Sequence, residues 1–295
     1  MDGAQRNPPI RTAVDSGRNR PASIHPTHAG FVGSVRGDAL MTLHIEVSGS
    51  GPDFVLLHGW GMNAAVWGDT AALLAKTFRV HCVDLPGHGA SPACTPYTLD
   101  ALADVVASAL PQRLMVCGWS LGGQLALNWA RRRPHQVERL VLIATTPRFV
   151  RGAEWECGID TSLLDDFVRD LANDYRATLQ RFLALQAQGD VDARAVLRRL
   201  RERILVRGEP AVAALEAGLR ILKETDLRAD LSHIKQPALI LHGERDTIAP
   251  LAAGLYLQRA LPRAALEVLA GAAHAPFASQ PQRAAQHIRE FCGEQ

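Results

Sequence analysis

Residues 114–123 of this chain read LMVCGWSLGG. The apolar run Leu114–Cys117 is short and bounded by turn residues, which indicates a strand buried on both faces. The next five residues fit the pattern G-x-S-x-G with Ser120 at its centre, and apolar residues at helical spacing follow. A strand, this pattern and a helix in that order predict a sharp turn that presents a nucleophilic serine above a sheet. Only small residues fit beside so tight a turn, which explains Gly118 and Gly122.

The same alternation of apolar runs and helix-length segments continues along the chain. Further short, mostly apolar runs between turn residues lie at 54–57, 80–83, 140–144, 238–241 and 266–269. Segments of helical length lie near 64–77, 98–110, 121–133, 251–261 and 281–292. This alternation predicts an α/β fold with a parallel, doubly wound sheet.

Two segments depart from the alternation. Residues 148–225 carry no strand pattern but contain amphipathic helices near 161–172, 174–188, 191–206 and 210–223. We expect them to form a helical cap above the carboxyl edge of the sheet, inserted into a core of residues 41–147 and 226–295. Residues 1–40 are apolar at 13 of 40 positions, against 47% overall, and prolines interrupt any periodicity. That composition predicts a disordered leader.

Composition excludes several classes of function. The 295 residues carry a net charge of +2 and 5% aromatic residues, which speaks against nucleic-acid binding. No apolar run reaches the length of about 18 residues that a membrane span needs. The five cysteines are odd in number and lack CxxC spacing, so we expect reduced thiols, no disulfide framework and no zinc site. Without a secretory signal, the sequence predicts a cytoplasmic protein that needs no metal or organic cofactor.

A serine hydroxyl needs a general base and an acidic partner for that base. His274 follows the last predicted strand in a loop of small residues, and Asp246 follows the strand predicted at 238–241. The chain order Ser120, Asp246, His274 is the order that this kind of nucleophile turn requires.

Three other acidic residues compete for the role of Asp246. Asp84 heads a Pro-Gly turn and follows an earlier strand, where we expect it to cap its loop. Asp226 precedes a strand instead of following it. Glu244 lies in the same loop as Asp246 and is the close rival.

An oxyanion hole needs two N–H donors aimed at one point. Leu121 follows the nucleophile and supplies one backbone donor. The loop His58-Gly59-Trp60-Gly61 follows the strand at 54–57, and its glycines let the backbone of Trp60 approach as the second donor. We expect His58 to brace this loop by hydrogen bonding.

With these features, the chain from about 42 to 292 resembles the α/β-hydrolase superfamily. The resemblance implies a mostly parallel eight-stranded sheet flanked by helices, its first strands antiparallel, with a helical cap between strands six and seven. Within the superfamily the chain resembles the pimeloyl-acyl carrier protein methyl ester esterase family of biotin synthesis. The matching segments are 56–63 (LLHGWGMN), 83–89 (VDLPGHG), 118–123 (GWSLGG), 181–186 (RFLALQ) and 274–277 (HAPF). The leader is a departure from that family.

The resemblance to this family implies a substrate, a partner and residue roles. The substrate would be a pimeloyl methyl ester carried by acyl carrier protein, cleaved to the free acid and methanol by a monomeric enzyme. Ser120, Asp246 and His274 would form the triad, Trp60 and Leu121 the oxyanion hole, and Phe182 part of the acyl channel. The basic cap positions would be Arg181, Arg194 and Arg198.

The charge of the cap supports an acidic partner independently. Residues 176–208 contain eight arginines and three acidic residues, a local net charge of +5. Because acyl carrier protein is acidic, a basic cap would steer and orient it. A generalist short-acyl carboxylesterase, a carbon–carbon bond hydrolase and a proline aminopeptidase remain alternatives, as does a non-catalytic binding module on the same fold.

Overall fold

A central sheet of eight strands organises the protein. The computed structural model describes residue 1, residues 27–28 and 31–33, and residues 41–293. The strands are β1 (Thr27–His28), β2 (Phe31–Gly33), β3 (Met41–Leu43), β4 (Ile45–Ser48), β5 (Asp53–Leu57), β6 (Arg79–Val83), β7 (Leu114–Trp119), β8 (Val137–Ile143), β9 (Ala238–Gly243) and β10 (Ala264–Leu269). The sheet runs in the order β1-β4-β6-β5-β7-β8-β9-β10, and β2 pairs with β3 separately.

The sheet is parallel from β6 to β10 and antiparallel at its other edge. β4 pairs antiparallel with β6, and β1 pairs antiparallel with β4. β5 has parallel neighbours on both sides, and every residue of β7 and β9 is buried. Burial on both faces explains why these strands read as continuous apolar runs. The predicted α/β fold, with its mostly parallel sheet, is confirmed.

Helices flank the sheet and connect its parallel strands. The described helices are α1 (Gly68–Leu74), α2 (Leu99–Ser108), α3 (Leu121–Arg132), α4 (Thr161–Asn173), α5 (Tyr175–Ala187), α6 (Ala193–Ile204), α7 (Val212–Glu224), α8 (Leu251–Ala260), α9 (Pro276–Ser279) and α10 (Pro281–Gly293). The helix predicted near 64–77 is shorter than expected and starts with a 3-10 turn at Ala64–Trp67. The side chain of Asn63 caps that turn by accepting a hydrogen bond from the Ala65 N–H at 3.0 Å.

The segment predicted to be a cap contains the four helices α4 to α7, between β8 and β9. α4 packs against α5 and α7, and α5 packs against α6. α6 also reaches the core, where it contacts α9 and the 3-10 turn at Ala64–Trp67. The cap therefore lies over the loops that follow β5 and β10.

Apart from Met1, five residues of the predicted leader fall within the described part of the chain. They form β1 and β2, so for them the structure shows strands where the sequence predicted disorder. The remainder of the predicted leader lies outside the described residues. Among the described helices, none combines the length and the apolarity that crossing a bilayer would require.

Candidate active site

Ser120 lies in a sharp turn between β7 and α3. Its backbone angles are φ 56° and ψ −116°, a conformation that residues with a side chain rarely adopt. The turn is crowded on both sides. A Cβ on Gly118 would lie 2.1 Å from the Gly122 carbonyl oxygen, and one on Gly122 would lie 2.3 Å from the Leu57 carbonyl oxygen. Backbone packing therefore requires glycine at both positions, and the strained turn lifts the hydroxyl to the end of the sheet.

Ser120, His274 and Asp246 form a continuous hydrogen-bonded chain. Ser120 Oγ lies 3.0 Å from His274 Nε2, and His274 Nδ1 lies 2.8 Å from Asp246 Oδ2. The three residues follow β7, β10 and β9, so their loops meet at the carboxyl edge of the sheet. All three are buried, and His274 is fully enclosed. Low polarity around such a chain strengthens each of its electrostatic contacts.

The carboxylate of Asp246 is oriented by its own loop. Oδ1 accepts hydrogen bonds from the backbone N–H groups of Ile248 and Ala249, both at 2.9 Å. Oδ2 is therefore left to face His274, and it can only accept a hydrogen bond there. His274 consequently carries its proton on Nδ1 and presents the lone pair of Nε2 to Ser120.

The ring and backbone of this histidine have further supports. The Trp119 indole N–H donates a hydrogen bond to the carbonyl oxygen of His274 at 2.7 Å. His242 lies beneath Asp246, with Nε2 3.6 Å from Oδ2 and 2.6 Å from the carbonyl oxygen of Ala249. Burial lowers the pKa of His242, so it is a neutral donor that secures the loop.

The rival acidic residues have other partners. Glu244 accepts a hydrogen bond from the Gly271 N–H at 2.8 Å. Asp226 is paired with Arg148 and Arg228. Asp84 is completely buried, and it accepts hydrogen bonds from the N–H groups of Ala64 and Ala90. Among the four acidic candidates, Asp246 is the one whose carboxylate contacts His274.

The loop after β5 lies directly against Ser120. A Cβ on Gly59 would lie 3.3 Å from Trp119 Cε3 and 3.4 Å from Ser120 Cβ, so the two loops are in close contact here. Within the described residues, the backbone N–H groups of Trp60 and Leu121 donate no hydrogen bond to the protein. Both residues are buried, Leu121 directly after Ser120 and Trp60 directly after Gly59, so an oxyanion on the substrate could satisfy their amides.

His58 braces this loop, as the sequence predicted. Its Nε2 accepts a hydrogen bond from the Leu85 N–H at 3.0 Å, and its Nδ1 donates to the Gly59 carbonyl oxygen at 2.8 Å. Burial, together with the neighbouring His88, lowers the pKa of His58 to about 3. The imidazole is therefore neutral at physiological pH.

Aromatic side chains of the cap pack against Trp60 and line a cavity that reaches the loop of Asp246. The Trp60 and Phe182 rings pack edge to face at 4.7 Å, and Phe182 packs edge to face with Phe167 at 5.7 Å. The Trp60 indole N–H donates to the Leu215 carbonyl oxygen in the cap at 2.8 Å. Phe167 and Phe182 line an apolar cavity of about 230 Å³ that reaches Ile248, two residues beyond Asp246. The cavity suits an alkyl chain.

The three cap arginines singled out by sequence differ in their surroundings. Arg181 is half-exposed, forms an ion pair with Asp170 at 2.7 Å, and its guanidinium lies over the Phe167 ring. Arg194 and Arg198 are exposed on α6, and Arg198 lies 3.9 Å from Glu202. Within residues 41–293, no group of three His, Cys, Asp or Glu side chains is arranged to hold a metal ion.

Sequence reasoning missed two charged residues that contact the loops of the site, the buried Asp190 and the partly buried Arg207. Asp190, before α6, accepts a hydrogen bond from the Ala273 N–H at 3.0 Å. Arg207, after α6, lies 3.3 Å from the carboxylate of Asp84. These partners are 83 and 123 positions apart in sequence, so no local pattern could have identified them.

This fold and site belong to a known class of protein. The family model described as alpha/beta hydrolase fold matches residues 52–281. The chain therefore belongs to the α/β hydrolases. An esterase from Exiguobacterium antarcticum has a similar structure, with a TM-score of 0.81 over 90% of this chain and 99% of that protein. At 22% sequence identity, this likeness supports the fold alone.

Curated relatives narrow the class. The chain is 48% identical to a pimeloyl-[acyl-carrier protein] methyl ester esterase of Nitrosomonas europaea over 244 residues, covering 83% of this chain and 97% of that protein. It is 43% identical to a protein of the same name from Aeromonas hydrophila, covering 86% of this chain and 100% of the relative. Both alignments span the core and the cap.

Proposed function

We propose that this chain is a serine carboxylesterase that hydrolyses the methyl ester of pimeloyl-acyl carrier protein methyl ester in biotin biosynthesis. The observation that carries the proposal is the hydrogen-bonded chain Ser120–His274–Asp246 beneath a basic cap. The names of the relatives at 41–48% identity supply the substrate.

The geometry supports a double-displacement mechanism. His274 Nε2 takes the hydroxyl proton as Ser120 Oγ attacks the ester carbonyl carbon. The N–H groups of Trp60 and Leu121 stabilise the resulting oxyanion. The C–O bond to the methoxy group breaks, and His274 gives its proton to the departing methanol. Water then attacks the acyl-enzyme by the same route, releasing the free carboxylic acid and restoring Ser120.

The exposed charge on the cap supports docking of an acidic carrier protein. Of the eight arginines at 176–208, five form ion pairs with carboxylates: Arg176, Arg181, Arg198, Arg203 and Arg207. Arg199 donates to the Ala278 carbonyl oxygen at 2.6 Å. Arg194, Arg198 and Arg201 are exposed on α6 at spacings of i, i+4 and i+7, along one helix face, and Glu202, the partner of Arg198, is exposed as well. We assign the main carrier contact to this stripe, with Arg181 at its side.

The proposal includes a monomer acting in the cytoplasm. All five cysteines lie in the described part of the chain and are free thiols, as a reducing compartment favours. Light scattering of the purified protein tests the monomeric state.

The deciding experiment compares the carrier-bound methyl ester with free short esters, using Ser120→Ala as the blank. We expect kcat/KM to favour the carrier-bound ester. Reversal of two charges in Arg194→Glu/Arg198→Glu should lower kcat/KM for that ester about 10-fold or more and leave free esters unaffected. The matched control is Arg259→Glu/Arg263→Glu, which makes the same change in charge at two exposed positions outside the cap.

Two outcomes would contradict the proposal. Equal or better turnover of free short esters, unmoved by either reversal, would leave a generalist short-acyl carboxylesterase. A Ser120→Ala variant that still supports biotin synthesis in cells would leave a non-catalytic binding module.

A further inference from the structure

The turn that precedes α6 is bonded to the loop that carries His274. The Val191 N–H donates to the Gly271 carbonyl oxygen at 3.0 Å. Asp190 Oδ2 accepts from the Ala273 N–H at 3.0 Å, directly before His274, and Oδ1 accepts from the Ser279 hydroxyl at 3.1 Å. Asp190 is only 8% exposed. Its carboxylate thus accepts hydrogen bonds from residues that precede and follow His274.

The other end of α6 is bonded to the loop after β5, residues 58–65, which we call the oxyanion loop. The Asn63 side-chain amide donates to the Ile204 carbonyl oxygen at 3.1 Å. Arg203 donates to the Ala65 carbonyl oxygen, also at 3.1 Å. Arg207 pairs with Asp84, and Asp84 Oδ1 accepts from the Ala64 N–H at 2.7 Å. A chain of contacts therefore runs from the cap to this loop.

The helix between these two attachments is a stiff spacer. At about 1.5 Å per residue, its 12 residues span about 18 Å. Val196, Leu200 and Ile204 are buried along its inner side. The carboxylate of Asp84 is fully buried, and Arg207 lies between it and Glu46 of β4, so loss of Arg207 removes a cation from beside a buried carboxylate.

We propose that Asp190 and Arg207 are positioning residues, which use α6 as a brace to hold the His274 loop and the oxyanion loop at the separation that catalysis requires. Asp190 acts on His274 through Ala273. Arg207 acts on the oxyanion loop through Asp84 and Ala64. The inference rests on the proposed esterase function, because it assumes that both loops act on the same ester.

The test uses a small chromogenic ester, 4-nitrophenyl acetate, which needs no carrier protein. Arg207→Met and Asp190→Asn should each lower kcat about 10- to 100-fold with KM within about twofold, since small displacements of catalytic groups have effects of this size. Arg207→Lys keeps a cation facing Asp84 and should recover part of the loss. The matched controls are Asp192→Asn and Arg176→Met, which alter exposed charges next to the brace and should leave kcat unchanged.

A second readout separates positioning from general loss of structure. A short trifluoromethyl ketone adds to Ser120 and forms an oxyanion. Its affinity for Arg207→Met should fall by about the same factor as kcat, because both depend on the oxyanion loop. All assays are run below the measured onset of unfolding. If Arg207→Met does not fold, Arg207→Lys against wild type carries the comparison, with an intermediate loss expected.

Folded variants with kcat within twofold of wild type, or with an increase in KM alone, would overturn the inference. Loss at only one end of α6 would overturn the two-ended brace. Failure of the proposed function looks different. A generalist esterase would cleave free esters at least as well as the carrier-bound ester and would still lose kcat in both brace variants, whereas a non-catalytic protein would cleave neither ester even as wild type.

Discussion

Replacing Asp246 by asparagine is expected to abolish activity while preserving the fold. Two backbone N–H groups, from Ile248 and Ala249, donate to Oδ1 at 2.9 Å, and they require an oxygen at that position. The asparagine NH₂ must therefore face His274 Nδ1. A donor there forces the histidine proton onto Nε2, and Nε2 then has no lone pair to accept the proton of Ser120.

The magnitude follows from the cost of turning the amide over. The reversed amide would leave two buried N–H groups without acceptors, at about 1–3 kcal/mol each. Even a total of about 3 kcal/mol keeps the productive orientation below about 1% of molecules, since each 1.4 kcal/mol is about tenfold. We therefore expect kcat to fall at least about 100-fold, and towards the loss of about 10⁴ that this substitution causes in Ser-His-Asp triads.

The assay pairs kcat on a free ester with the free energy of unfolding in urea. Asp246→Asn keeps both backbone hydrogen bonds and should stay within about 1 kcal/mol of wild type. Asp246→Ala leaves the two N–H groups without an acceptor and should lose about 2 kcal/mol or more. Glu244→Gln, in the same loop, is the matched control and should keep near-normal kcat, because Glu244 bonds the Gly271 N–H and not His274.

The result that would refute this reasoning is simple to recognise. Asp246→Asn with more than a tenth of wild-type kcat would mean that the amide orientation is not dictated by the two backbone donors. Equal losses in Asp246→Asn and Glu244→Gln would return Glu244 to the role of acidic partner.

Three further predictions follow from burial and packing. Burial lowers the pKa of His58 to about 3, so below about pH 6.5 the unfolded chain binds a proton at this site that the folded chain does not. This group should therefore lower the free energy of unfolding by about 1 kcal/mol for each pH unit between pH 6 and pH 4. Urea unfolding at several pH values should show a shallower slope for His58→Gln, and an unchanged slope would contradict the assignment. Gly118→Ala should lose about 3 kcal/mol of stability or fail to fold, because the new Cβ meets the Gly122 carbonyl oxygen. The control Gly293→Ala has open space around its Cβ and should match wild type in thermal unfolding. Phe182→Ala should lose about 3 kcal/mol in urea unfolding and shift the ester preference towards longer acyl chains by enlarging the apolar cavity; an unaltered preference would show that this cavity does not receive the acyl chain.

The parts of the site that could be predicted from sequence are those with local signals. Ser120 lies between a sequence pattern typical of a strand and one typical of a helix, and the glycines that its turn needs are visible in the sequence. His274 and Asp246 each follow a strand, and parallel strands bring their carboxyl ends to one edge. The bounds of β5 to β10 agree with the predicted runs to within three residues. Burial on both faces explains the apolar runs of β7 and β9, whereas β10 is partly exposed and includes Glu267.

The choice of Asp246 over Glu244 could not be settled from sequence. Both residues lie in one short loop, two positions apart, and both carry a carboxylate. The difference arises from where the backbone places donors. Ile248 and Ala249 turn Asp246 towards His274, while the Gly271 N–H captures Glu244. Such arrangements depend on long-range packing, which a single sequence does not display.

The net charge of the cap likewise could not be interpreted fully from the sequence. A count over residues 176–208 gives +5, but it includes arginines whose partners lie outside that window. Asp170 neutralises Arg181, Asp69 pairs with Arg203, and Asp84 lies against Arg207. These pairs attach the cap to itself and to the core, so they cannot also serve fully as a docking surface.

The arginines of α6 lie on two sides of the helix and have different partners. Arg194, Arg198 and Arg201 point to solvent, where an acidic partner can reach them, while Arg199 and Arg203 bond to carbonyl oxygens of the core. One helix therefore connects the proposed docking surface to both catalytic loops. If both proposals hold, reversing Arg194 and Arg198 should change KM for the carrier-bound ester and spare kcat, whereas Arg207→Lys should change kcat for either ester and spare KM. An effect on KM alone from one face of α6 and on kcat alone from the other would show that the cap binds the carrier and positions the catalytic groups through different residues.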